Sequence, residues 1–135
     1  MSNRWLLKSD PDTYGYDDLE RDKKTVWEGV SNNQALKNLR EVRLGDHILI
    51  YHTGNDKAIV GLAEAMNDPY PDPKENDEKA VVVDIKPKRR FAHPVTLAEI
   101  KAAEELKEFD LVRLPRLSVM PVSNEYWEVL QEMLK

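Results

Sequence analysis

Two strand-like runs set back to back in the middle of the chain narrow the possible folds more than any other feature. His47-Ile48-Leu49-Ile50-Tyr51-His52 is rich in β-branched and aromatic residues, and a short turn around Gly54-Asn55-Asp56 separates it from Ala58-Ile59-Val60-Gly61-Leu62-Ala63-Glu64-Ala65. So short a connection makes an antiparallel hairpin, because a parallel pair needs a crossover of about a dozen residues or more. The pair therefore speaks against a doubly wound parallel sheet, and a small, partly closed mixed barrel takes its place.

The flanking segments supply the rest of that barrel. Arg4-Trp5-Leu6-Leu7-Lys8 reads as a strand ended by Pro11, and Asp17 to Asp22 as a short helix. Lys23 to Val30 has too few alternating apolar positions to assign. Asn32 or Asn33 can cap a helix whose apolar stripe is Ala35, Leu36, Leu39 and Val42, and which should stop near Arg43 with Gly45 as a turn. Asn67 to Lys79 is too proline-rich and polar to sit inside a sheet, whereas the continuous apolar run of Ala80 to Ile85 reads as a central strand. Lys88 to His93 reads as an irregular or extended piece. Thr96 and Glu99 form a capping box for a helix burying Leu97, Ile100 and Ala103, continued or kinked through Glu104 to Phe109. Leu117 to Val122 reads as an edge strand, since Pro121 cannot donate to a ladder. Ser123 caps a terminal helix from Asn124 to Met133, with Trp127, Leu130 and Leu134 on one face. The fold class that follows is mixed α/β, a single domain over residues 1–135 in which five or six strands form a curved, partly closed β-barrel decorated by short helices.

Composition bounds the chemistry. Twenty basic and twenty-five acidic residues among 135 leave a net charge of −5, which argues against coating long duplex DNA but not against holding one nucleotide or one extruded base. Lys86, Lys88, Arg89 and Arg90 follow one another without an intervening acid, so a local basic spot is compatible with the acidic whole. The chain has no cysteine, which excludes disulfides, thiol nucleophiles and cysteine-bound metals, and its three histidines show no metal-ligand spacing. No cofactor is implied: the five glycines at 15, 29, 45, 54 and 61 are isolated, and no HExxH, GxSxG or CxxC motif is present. The longest apolar run is four residues, so neither a membrane span nor a signal-peptide core is expected, and the expected location is the cytoplasm. The pairs Asp17/Asp18 and Asp77/Glu78 read as solvated charge, and His47 and His93 as surface or edge positions.

Three groups of residues remain as candidates. Trp27 sits in an unassigned segment ahead of Gly29, Val30, Asn32 and Gln34; an indole face can stack on a base and amides can read its edge. The competing reading makes Trp27 a plug at one end of the barrel and Asn32 merely a cap. Tyr51 and His52 end a strand and face opposite sides of it, so alternate members can enter one pocket, and a buried structural histidine is an equal alternative. Lys8 and Ser9 after the first strand, and Arg116 before the last, are polar groups beside apolar strands, where a cation suits a phosphate but also suits a salt bridge.

These fragments share one pattern. Trp5-Leu6-Leu7-Lys8-Ser9-Asp10-Pro11, Trp27 to Ala35, Gly45-Asp46, Tyr51-His52-Thr53, Ile59-Val60-Gly61, Tyr70-Pro71-Asp72 and Arg116 to Val122 together resemble the EVE domain family, in order and over nearly the whole chain. The resemblance implies a PUA-like fold, related to the YTH and ASCH domains, and recognition of a modified base, methylated or hydroxymethylated for example, in DNA or RNA. It places a base pocket at Lys8, Ser9, Trp27, Val30, Asn32, Gln34, Tyr51, His52 and Ser118, with Arg116 on phosphate and no catalytic or metal residue. Two positions depart from the family's pattern: Ser31 stands where an arginine is common and Asn33 where an aromatic is common, removing a forked phosphate contact and a stacking wall. Lys37, further along the helix, could offset the lost cation. The alternatives are a nucleotide- or base-directed enzyme with His52 as general base, and a protein-interaction module using the acidic Asp68 to Glu78 loop.

Overall fold

The structure, a computed structural model, describes residues 3–28, 30, 32–74 and 80–134. Its seven strands are β1 (Arg4–Ser9), β2 (Thr25–Trp27), β3 (His47–His52), β4 (Ala58–Ala65), β5 (Tyr70–Pro71), β6 (Val81–Thr96) and β7 (Val119–Pro121), joined in the order β2-β6-β4-β3-β1-β7 with β5 pairing β6. The helices are α1 (Tyr16–Asp22), α2 (Asn33–Arg40), α3 (Leu97–Ala102), α4 (Asp110–Arg113) and α5 (Asn124–Met133), with a 3-10 turn at Glu104–Leu106. The sheet curls into a half-barrel. β3 and β4 make the expected antiparallel hairpin, and β1 lies parallel to β3 with Leu6 opposite Leu49, so the sheet is mixed. β7 is an edge strand whose Pro121 lies opposite Trp5.

The local signals that specified helix ends are present. The Asn32 side chain accepts the Ala35 N–H at 3.0 Å, Thr96 and Glu99 form the capping box, and Ser123 caps α5. α2 stops at Arg40 rather than Arg43; Val42 still reaches the core from the turn beyond it.

Two open readings are resolved and one expectation is corrected. The strand ending at Ile85 and the irregular or extended piece from Lys88 to His93 are one sixteen-residue strand, β6, so the extended alternative holds. Its ladder to β4 shifts register between Ile59 and Gly61 and between Leu62 and Ala63, and such bulges let a strand carry the prolines and the solvent-facing Lys88-Arg89-Arg90 run that hide it in the sequence. Thr25 to Trp27 is a strand pairing Ile85 to Val83, too short to show alternation on its own. Tyr70-Pro71, inside the supposed loop, pairs Val82 and Val81 as a two-residue edge, where a proline is tolerated. The basic run on β6 is largely neutralised: Lys86 and Lys88 approach Glu64 at 3.7 and 3.4 Å, and Arg90 pairs with Asp17 and Glu20.

Candidate functional site

A pocket of about 530 Å³ opens between the start of α2 and the loop that joins α4 to β7, lined by Asn32, Gln34, Arg113, Leu114, Pro115, Arg116 and Leu117. α2 is fixed against β7 because the Asn38 amide donates to the Val119 carbonyl at 2.7 Å, and Gln34 is oriented in turn by donating to Asn38 Oδ1 at 3.2 Å. Asn32 Oδ1 is committed to the helix cap and Gln34 Nε2 to Asn38. Among the described residues, Asn32 Nδ2 and Gln34 Oε1 have no partner, so the pocket offers one amide donor and one amide acceptor. Leu114, 41% exposed, and Leu117 give it apolar surface. Arg116 is exposed and has no ion pair among the described residues.

Lys8 reaches this site from behind. Its backbone N–H donates to the Ser118 carbonyl at 2.9 Å and its ammonium to the Pro115 carbonyl at 2.7 Å, pinning the middle of the pocket loop and the residue that follows it to the end of β1. The ammonium also lies 5.8 Å from the Tyr51 ring centre. Burial lowers the Lys8 ammonium and raises the Tyr51 phenol from their ordinary pKa values. Lys8, Tyr51 and the Ser118 carbonyl therefore support the loop rather than line the pocket.

His52 and Ser9 are also placed behind it. His52 Nε2 accepts the Tyr16 N–H at 2.9 Å while Nδ1 lies 3.0 Å from Asp56 Oδ2, an arrangement that a neutral ring protonated on Nδ1 satisfies fully. Both ring nitrogens are thus engaged within the fold, and His52 is not among the residues lining the pocket. The Ser9 hydroxyl donates to the Tyr14 carbonyl, and Thr53 N–H donates to the Ser9 carbonyl at 2.9 Å, so Ser9 closes the turn into α1. Trp27 and Val30 pack half-buried against the core in the segment that leads to Asn32, outside the residues lining the pocket. Gly29, Ser31, Asp77 and Glu78 fall outside the described residues, as does part of the acidic loop. Lys37 is exposed on α2.

Of the residues read from the sequence, Asn32, Gln34 and Arg116 thus meet in one pocket. Arg113, Leu114, Pro115 and Leu117 complete it. The one signal for them was the Arg113-Leu114-Pro115-Arg116 run, two cations flanking a break ahead of an edge strand.

Known proteins are similar to this chain in fold and in sequence. The EVE domain family model matches residues 3–133. Thymocyte nuclear protein 1 of Rattus norvegicus is 30% identical, over 96% of this chain and 73% of that protein. The NMR structure of Rpa0253 from Rhodopseudomonas palustris superposes with a TM-score of 0.92 at 37% identity, covering 98% of this chain and 92% of that one. The crystal structure of human THYN1 protein in complex with DNA containing 5-methylcytosine superposes with a TM-score of 0.91 at 27% identity, covering 99% and 98%. With the match extending over nearly every element described above, the chain belongs to the EVE domain family.

Proposed function

We propose that this EVE domain binds DNA carrying a modified base, seating that base in the pocket between α2 and the loop 113–117. The observation that carries the reading is the unused donor of Asn32 and acceptor of Gln34, which line one pocket with the Arg116 guanidinium. A pyrimidine or purine edge presents adjacent donors and acceptors to such a pair, and a guanidinium at the rim suits the phosphate that follows the base. Extruding a base costs a few kcal/mol, which stacking and matched edge hydrogen bonds recover. For the stacking wall we propose Trp27, whose half-buried indole ends β2 five residues before Asn32 and, packed on the core outside the pocket lining, would turn toward the pocket when a base enters. The likeness to human THYN1, solved with 5-methylcytosine DNA, supports the same ligand class. RNA with a modified base offers the same edges and belongs in the same test. Among the described residues, neither the pocket nor its supports place a nucleophile beside a free general base, which favours a reader over an enzyme.

Titration of short oligonucleotides carrying unmodified, 5-methyl, 5-hydroxymethyl or N6-methyl bases tests the proposal. A methyl group buried against Leu114 and Leu117 contributes about 0.8 kcal/mol, a preference of roughly fourfold rather than an absolute one. Arg116→Ala is expected to weaken modified and unmodified strands by a similar factor and to lower the salt dependence of binding by about one ion. Trp27→Leu is expected to cost about 1–3 kcal/mol of affinity with a smaller change in the denaturation midpoint. Equal, undetectable binding to every oligonucleotide would overturn the reading, and a Trp27→Leu protein that is destabilised yet binds normally would return Trp27 to the core.

A further inference from the structure

Arg113 stands on the same rim as Arg116, at the other end of Leu114-Pro115. Its backbone is well held, since its N–H donates to the Phe109 carbonyl at 3.0 Å and the Leu114 N–H donates to the Asp110 carbonyl at 2.7 Å. Its side chain is not. Glu108 approaches its Nε at 3.8 Å, with the two side chains 69% and 53% exposed respectively, the geometry of a loose surface pair. A guanidinium held this weakly is available to an anion that it can meet with two parallel N–H donors, as it can a phosphodiester.

We propose that Arg113 is a second phosphate contact of the pocket, held by Glu108 when the pocket is empty and transferred to a backbone phosphate when it is filled. Resting on the base-binding reading above, the inference narrows the ligand class. Two guanidiniums at the two ends of one turn suit a nucleotide with a phosphate on each side, so the ligand is a base within a polynucleotide strand and not a free base or nucleoside. The pair also supplies local positive charge on a molecule whose net charge of −5 otherwise opposes nucleic acid.

The test compares the wild-type protein with Arg113→Gln, Arg116→Gln and Glu108→Gln, by anisotropy titration of a single-stranded oligonucleotide with one 5-methylcytosine, its unmodified counterpart, and competition by 5-methyldeoxycytidine nucleoside. Arg113→Gln is expected to weaken both oligonucleotides equally, on the order of tenfold, to reduce the slope of affinity against salt by about one, and to leave nucleoside competition unchanged. Glu108→Gln is expected to tighten both strands, and to do nothing in the Arg113→Gln background. Wild-type affinity and salt slope in Arg113→Gln, beside a loss in Arg116→Gln, would overturn the inference while leaving the base reading standing. Conversely, equal affinity for modified and unmodified strands, with Arg113→Gln weakening both, would overturn base recognition and keep the phosphate contact.

Discussion

Asp46→Ala is expected to lower the free energy of unfolding by about 4 kcal/mol, the largest effect of any polar substitution considered. The carboxylate is 2% exposed and accepts three hydrogen bonds: Oδ1 from the Asn3 N–H at 2.9 Å, Oδ2 from the Trp5 indole N–H at 2.9 Å and from the Arg43 N–H at 2.8 Å. One side chain thereby ties the entry to β1, the turn after α2 and the start of β3. Hydrogen bonds to a charged acceptor contribute about 1.5–3 kcal/mol each and do not add fully. Removing the acceptor also leaves the Trp5 indole N–H buried without a partner, which carries a separate desolvation cost. Asp46→Asn should recover only part of the loss, because its amide nitrogen turns a donor toward other donors. Urea denaturation at an unchanged m-value measures the effect. In a Trp5→Phe background the same Asp46→Ala substitution should cost about 1–2 kcal/mol less, the coupling a shared hydrogen bond requires. An Asp46→Ala midpoint within experimental error of wild type would show that the three donors find other partners.

What the sequence specified well was local. The hairpin between β3 and β4, the caps at Asn32, Thr96 and Ser123, and the edge position of β7 each depend on residues a few places apart, and each is found in the structure. The features it hid depend on distant partners. β6 is a strand because β4 supplies its ladder through two register shifts, and nothing within Lys88 to His93 announces that. Gly45 reads as a turn after a helix; that the aspartate beside it is the buried anchor of Trp5 follows only from pairing β1 with β3. For His52, strand alternation indicated a side but not the two partners, Tyr16 and Asp56, that occupy its ring.

The candidate site divides in the same way. Asn32 and Gln34 were legible because amides next to an aromatic segment and a helix start are a local pattern, and Arg116 because a cation precedes a strand. Arg113 and Leu114 belong with them only because Lys8, at the end of β1, holds the Pro115 carbonyl, a contact that spans most of the chain. Lys8 itself was placed at the pocket by resemblance and is found one layer behind it, where it fixes the loop that carries the rim.

Gly61→Ala is the second large effect, about 3 kcal/mol or more of lost stability. Gly61 lies opposite Ile50 on β3 and Arg90 on β6, at the register shift of β4. A Cβ built there overlaps the Tyr16 ring, with Cδ2 at 2.7 Å and two further ring atoms closer still. That ring cannot swing aside. Tyr16 is fully buried, and its hydroxyl is shared between the Leu62 carbonyl at 2.7 Å and the Arg89 carbonyl at 2.9 Å, an environment in which burial, and behind it the Glu20 carboxylate, pushes the phenol up to about 12. Adding one methyl therefore forces either the strand or the phenol to move, and moving the phenol breaks hydrogen bonds to β4 and β6 together. Because the Tyr16 N–H is also the donor to His52 Nε2, the disturbance reaches the end of β3 beside Tyr51 and Lys8, and binding should weaken along with stability. Tyr16→Phe keeps the overlapping ring atoms and should not relieve the clash. Tyr16→Leu opens the space, so Gly61→Ala should cost at least 1 kcal/mol less in that background, as neighbours that compete for one volume require. Gly54→Ala provides the contrast: its φ of +72° strains any side chain, yet nothing lies within 4 Å of the added Cβ, so the loss should stay near 1 kcal/mol. Equal losses for Gly61→Ala and Gly54→Ala, with no coupling to Tyr16, would mean that the glycine serves backbone conformation at the bulge and not the approach of the tyrosine.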